Sequence, residues 1–125
     1  MTEITWKCAA CGFAIADGDG WVHVRMSEVM DQEDAVREWN AVHHPPGKLG
    51  VSVGALLDHP DPVSWNAVHA VCDATGGEGY AIGVEDLRTP WDLIEWTVQL
   101  LEKSWLASTD WREVLRRKHG EHNRT

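Results

Sequence analysis

All three cysteines of the chain fall into two short motifs, Cys8-Ala-Ala-Cys11 with Gly12 behind it, and His69-Ala-Val-Cys72. Together they read Cys-x2-Cys…His-x2-Cys. Three thiolates and one imidazole form a soft, four-member ligand set, the kind that tetrahedral Zn²⁺ prefers. A chain that must bring these motifs to one point has few ways to fold. Two ligands with two residues between them can grip one ion from a tight turn, and Gly12 lets the backbone fold back beneath it. His69 and Cys72 are an i, i+3 pair, so one helical turn or knuckle points both at the same ion. The expectation is one structural Zn²⁺ held by Cys8, Cys11, His69 and Cys72.

Two features compete with that reading. Between Cys11 and His69 lie 57 residues, far more than a zinc finger usually encloses. Closure entropy grows slowly with length, so the insertion is tolerable. A Cys-x2-Cys can also be a redox dithiol, but that needs a strand before it and a helix after it. Here Phe13 to Gly20 reads as a turn-rich link. Taken singly, Cys72 reads as a buried apolar thiol and His69 as a core histidine; the joint spacing outweighs this. His43 is a competing ligand, because Trp39-Asn-Ala-Val-His43 recurs as Trp65-Asn-Ala-Val-His69. Five residues do not make a repeat.

With 125 residues, 43% hydrophobic and 25% charged, the chain has the material for one globular core. The expectation is a single zinc-stabilised domain over 1–119 and a frayed basic tail over 120–125. No apolar run reaches the roughly 18 residues a membrane span needs. The first residues lack a basic stretch followed by an apolar one, so no secretory signal is read there. An odd cysteine count argues against a disulfide framework. A cytoplasmic setting is expected.

The net charge of -9 is uneven. Residues 112–125 carry five basic and two acidic side chains, a balance of +3, which leaves -12 on residues 1–111. An acidic body repels nucleic-acid backbones. The basic end complements a helix C-terminus or touches an acidic partner. Eight tryptophans accompany one Phe and one Tyr. Most should fill the core, and one or two on the surface would mark a binding face.

Periodicity places the elements. Ile4 to Cys8 reads as a short strand into the knuckle. Asp17-Gly18-Asp19-Gly20 reads as a hairpin turn before a strand over 21–26. It is not a calcium loop, because Val22 stands where the EF-hand needs glycine. Ser27 is a candidate cap for a helix to about His44, with Val29, Ala35, Val36, Trp39 and Val42 as its stripe. Leu49 to Leu57 is ambiguous. Residues 63–69 read as a strand, with helix as the alternative, and 80–87 as another strand. The run Asp73 to Gly79 is a turn without the Lys-Ser/Thr of a phosphate loop. Thr89-Pro90 starts a helix over 90–106 whose apolar seam is Trp91, Ile94, Val98, Leu101 and Trp105, with Leu93, Trp96 and Leu100 on its flank. Trp96 or Trp105 is the expected core residue of that helix. Ser108 or Thr109 caps a last helix to about His119. The expected fold class is α+β: a small antiparallel sheet with a zinc knuckle, packed by helices that include two at the C-terminus.

The stretch Trp65…His69-x2-Cys72, Tyr80-Ala-Ile82, Leu87-Arg-Thr89, Leu93-Ile-Glu-Trp96, Glu102-Lys103-Ser-Trp105-Leu106 and Thr109-Asp110-Trp111, with Cys8 to Gly12 before it, resembles a group of small uncharacterised actinobacterial and actinophage proteins. The resemblance covers about half the chain. It implies a source and a zinc knuckle, not an activity. The chain departs from the group at Val98-Gln99, where related chains would carry a histidine, which weakens the case for a catalytic residue there.

Three function classes follow. A closed four-ligand metal shell and tryptophan-rich helices suit a non-catalytic protein-interaction or regulatory module, with a protein partner or a homodimer formed through the 90–106 helix. A nucleic-acid-linked regulator is the second, either through the basic end or as an acidic inhibitor of a nucleic-acid enzyme; direct nucleic-acid binding is opposed by the acidic body. A zinc enzyme is the third. The deaminase pattern of His-x-Glu before Pro-Cys-x-x-Cys is absent, as is His-Glu-x-x-His, and no catalytic residue is assigned.

Overall fold

The computed structural model describes residues 3–43, 59–75 and 78–117. Its centre is a three-stranded antiparallel sheet, as expected: β1 (Gly20–Val24) lies between β2 (Asn66–His69) and β3 (Tyr80–Gly83). Alternation along β1 sends Val22 and Val24 to one face, opposite Ala67 of β2 and Ile82 of β3, and all four are buried. Residues 63–69 end in a strand rather than a helix. The strands are shorter than the sequence suggests: β2 starts at Asn66 rather than at 63, and β3 stops at Gly83, short of 87, because a 3-10 turn follows it at Val84–Asp86.

Helix α1 (Met26–His43) follows β1 after one residue, and Val29 N–H bonds to Arg25 C=O. Ser27 therefore sits inside the first turn and not at the cap. Val29 and Trp39 are buried, whereas Val42 of the expected stripe is exposed. Leu49 to Leu57 and residues beyond 117, including the end of the expected last helix, lie outside the described residues.

Helix α2 (Pro90–Leu100) begins as its sequence dictates. Thr89 Oγ1 accepts from Asp92 N–H at 3.1 Å, Asp92 Oδ2 accepts from Thr89 N–H at 3.1 Å, and Pro90 takes the first position. It ends six residues before the expected 106. Glu102 N–H reaches Gln99 C=O and Lys103 N–H reaches Leu100 C=O, so the chain tightens and leaves the helical path. This turns Trp105 back onto the core, with its ring 5.3 Å from Tyr80 and 6.2 Å from Trp65. Tertiary packing of one indole outweighs one more helical turn.

The orientation of α2 also differs from the expected one. Leu93 and Leu100 are buried, and Trp96 packs against the core, while the expected seam of Trp91, Ile94, Val98 and Leu101 faces solvent. Both rows have helical spacing, so periodicity alone cannot choose between them. The polar groups choose: Thr97 Oγ1 accepts from Trp111 Nε1 at 2.9 Å and donates to Leu93 C=O at 2.7 Å.

Helix α3 (Trp111–Arg116) is short. Asp110 holds the cap position, in place of the expected Ser108 or Thr109, yet its Oδ1 accepts from Trp65 N–H at 2.8 Å instead of capping. Thr109 Oγ1 accepts from Trp65 Nε1 at 2.9 Å and donates to Leu106 C=O. Trp65, fully buried, thus has both of its N–H donors satisfied by the Thr109–Asp110 pair. Its ring meets Trp111 edge-on at 5.0 Å.

Candidate metal centre

The first knuckle is the tip of a small hairpin. Ile15 N–H bonds to Trp6 C=O, Cys8 N–H to Phe13 C=O, and Gly12 N–H returns to Cys8 C=O. Gly12 has φ of 82°, the left-handed geometry that glycine adopts freely, so the tight return beneath Cys11 is paid for by residue choice. Ala9 N–H bonds to Ala67 C=O at 2.7 Å, which docks the tip onto β2. The second knuckle is where β2 ends: His69 is its last residue and the Ala70–Cys72 turn brings Cys72 round beside it.

The sheet then closes the 57-residue gap. Gly20 pairs with His69 in the β1–β2 ladder, and Ala70 N–H bonds to Asp19 C=O at 2.8 Å. The turn at 17–19 leads into β1, but β1 pairs with β2 and β3, not back across that turn as a hairpin. A Cβ on Gly20 would overlap the Val68 carbonyl and come within 2.9 Å of His69 Cα. Glycine is needed there so that β1 can approach the strand carrying the ligand.

One ligand atom from each of Cys8, Cys11, His69 and Cys72 lies within 4.8 Å of every other, a set that could hold a metal ion. His69 Nδ1 is 3.3 Å from Cys11 Sγ and 4.0 Å from Cys72 Sγ. With metal–ligand bonds of about 2.0–2.3 Å, the edges of a tetrahedral site are roughly 3.4–3.8 Å. The four atoms therefore need to contract only slightly around an ion.

The imidazole is already set for ligation. Its Nε2 lies 3.0 Å from Ala14 C=O. A carbonyl oxygen can only accept, so Nε2 carries a proton, and the ring in its neutral form turns its Nδ1 lone pair to the thiols. An outer carbonyl that fixes ring and tautomer is a common support of metal-bound histidine. His43 has no part in the cluster: its ring stacks on Trp39 and its Nδ1 meets Trp39 C=O at 3.1 Å.

The electrostatics of the thiols agree with this arrangement. Burial pushes the Cys8 thiol up, but backbone N–H groups of His69, Cys11 and Ala10 outweigh it and hold Cys8 at about 6. The His69 N–H lies 3.4 Å from Cys8 Sγ. Cys72 is pushed up to about 11, first by burial and then by the neighbouring Cys8 and Cys11 thiols. Contact with Cys8 raises His69. Three thiolates do not ionise together unaided at this separation; a divalent cation reverses the repulsion and takes them deprotonated.

Spacing alone does not reveal the supports of the centre. Ala14 contributes through its backbone, which carries no side-chain signal. Trp21 Nε1 donates to Asp73 Oδ2 at 2.9 Å, pinning the residue after Cys72 to β1. Burial raises the Asp73 carboxyl, yet the Thr75 hydroxyl and N–H and the Trp21 N–H hold it down at about 2. Beside the knuckle, His23, Arg25, Asn66 and Thr75 border an open recess of about 330 Å³. Among the described residues, no helix is long and apolar enough to cross a membrane. No family model matches the chain, and no curated protein or solved structure is significantly similar to it.

Proposed function

We propose that the Cys8, Cys11, His69 and Cys72 cluster binds one Zn²⁺ as a structural ion, and that the protein is a non-catalytic, zinc-stabilised protein-interaction or regulatory module. The observation that carries this is the convergence of four protein ligands, all within 4.8 Å, from two knuckles joined by the sheet. Three thiolates and an imidazole favour zinc over harder, oxygen-seeking cations. Four protein ligands fill a tetrahedral shell and leave no position for water or substrate, so the metal's contribution is to folding. Three free thiols fit a reducing, cytoplasmic setting. The apolar row exposed on α2 supplies a surface for association.

The test is comparative unfolding of the zinc-loaded protein and the protein stripped by a chelator. A structural zinc contributes about 10–16 kcal/mol of apparent binding energy, comparable with a domain's whole stability. The stripped protein should lose its cooperative melt and regain it with added Zn²⁺. An unchanged melt after removal would refute the structural role.

A further inference from the structure

The recess beside the second knuckle lies on the sheet face opposite the core, because His23 alternates with Val22 and Val24 along β1. At about 330 Å³ it stands at the small end of ligand sites, which run from about 300 to 1,000 Å³. The His23 ring lines it and is more than nine-tenths buried. Its Nδ1 is buried with no hydrogen-bond partner among the described residues. Buried polar groups of folded chains are nearly always paired, and an exception in the wall of a cavity calls for a partner that the chain does not itself supply. A half-turn about χ2, a broad and roughly two-fold torsion, exchanges the two edges of the ring, so the unpaired nitrogen is not confined to its buried side.

The charges around the recess indicate what it takes. Arg25, two residues beyond His23, meets Glu28 at 3.5 Å and Glu78 at 3.9 Å, and all three side chains are about half exposed. Charged hydrogen bonds are shorter, about 2.7–2.9 Å. These pairs therefore hold the guanidinium loosely and leave its planar fork for a carboxylate. Asp73, on the opposite wall, is kept ionised by the Trp21 N–H and by the Thr75 N–H and hydroxyl. Glu28, Glu78 and Asp73 thus outnumber Arg25, and three thiolates on a Zn²⁺ would add one more negative charge behind Cys72. A simple anion is repelled by this excess, and a simple cation meets Arg25. A small molecule with both a carboxylate and an ammonium matches both signs. Ser64 and Asn66 border the recess without charge, and Ala9, Ala10 and Val68 supply an apolar wall.

We propose that this recess binds a free α-amino acid with an apolar side chain. Arg25 and the His23 ring take the carboxylate, Glu28 and Asp73 take the ammonium, and the side chain rests against Val68 and the two alanines. The inference goes beyond the zinc-stabilised module by giving it a small-molecule ligand, and it does not depend on which protein the module meets.

The experiment is an NMR titration of the zinc-loaded full chain with alanine, valine and leucine in turn, following backbone amides and the His23 ring. At least one of the three should bind with a Kd of about 1 mM or tighter, which asks little of so few atoms, and should move the His23 ring resonances. Two analogues of the tightest binder follow: the amine that lacks its carboxylate and the acid that lacks its ammonium. Each should bind at least tenfold more weakly. Arg25→Gln should weaken the amino acid at least tenfold and leave the amine unchanged or tighter. Glu28→Gln should weaken the amino acid and leave the acid unchanged or tighter. Both positions are about half exposed, and metal content with far-ultraviolet circular dichroism of each variant keeps a lost site distinct from a lost zinc-stabilised fold. The analogue series on the native chain decides the matter without any variant. No binding of any of the three amino acids overturns the proposal. An amine or an acid that binds as tightly as its parent makes the recess a plain ion site and also overturns it, as does binding that leaves the His23 ring unmoved.

Discussion

His69 Nδ1 lies 3.3 Å from Cys11 Sγ although the two residues are 58 apart in sequence. The contact exists because β1, inserted between them, pairs Gly20 with His69 and so returns the chain to the first knuckle. The Cys8, Cys11, His69 and Cys72 cluster and the sheet are therefore one structural unit, and substitutions in the sheet should be felt at the cluster.

Nitrogen-15 NMR of the histidine side chains should show His69 with a protonated Nε2 and a metal-bound Nδ1, because the Ala14 carbonyl can only accept. The bound ring should hold this state well below pH 6.5, the ordinary midpoint of histidine, since protonation must displace the metal. A His69 ring titrating freely in zinc-loaded protein contradicts the assignment.

Gly20→Ala should destabilise the protein by about 1–3 kcal/mol, the usual cost of forcing a methyl into occupied space, since the new Cβ overlaps the Val68 carbonyl. Zinc affinity should fall with it, because the displaced strand ends in His69. A competition titration against a chromophoric chelator reads the second effect. Gly12→Ala should also destabilise, for a different reason: open space surrounds it, but its φ is 82°.

Arg88 fastens the N-terminal segment to the rest of the fold. Its guanidinium donates to Ile4 C=O at 3.0 Å, Ile15 C=O at 2.7 Å and Asp17 Oδ1 at 2.8 Å. Arg88→Ala strands two carbonyls at a side chain that is only 13% exposed, at a cost of about 2–3 kcal/mol. Arg88→Lys should recover little, because one ammonium does not reproduce the planar fork. Chemical denaturation of the two variants measures both.

How much was legible in the sequence depended on which force decided each element. The cysteine spacing identified the four residues that converge, because metal-ligand geometry is local in each knuckle. The helix start at Thr89-Pro90 was legible for the same reason. The pentapeptide shared by residues 39–43 and 65–69 shows the limit. Its first copy ends α1, and in the second Asn66 to His69 form β2. Identical residues have identical intrinsic propensities, so tertiary partners decide: β1 offers a ladder to the second copy. Helix α2 shows a second limit. Two apolar rows compete on it, and the choice rests on a hydrogen bond from Trp111 to Thr97 fourteen residues away. Asp110, equipped to cap α3, serves Trp65 instead. None of these long-range choices leaves a periodic trace.

The most direct measurement of the central claim is elemental analysis of protein purified without chelators, native and Cys11→Ser side by side. The account predicts close to one zinc per chain in the native protein. It predicts little or none in Cys11→Ser, whose exposed position gives the substitution little packing effect apart from the lost ligand. A native protein that is folded and metal-free, or a Cys11→Ser variant that keeps its full zinc, would contradict it.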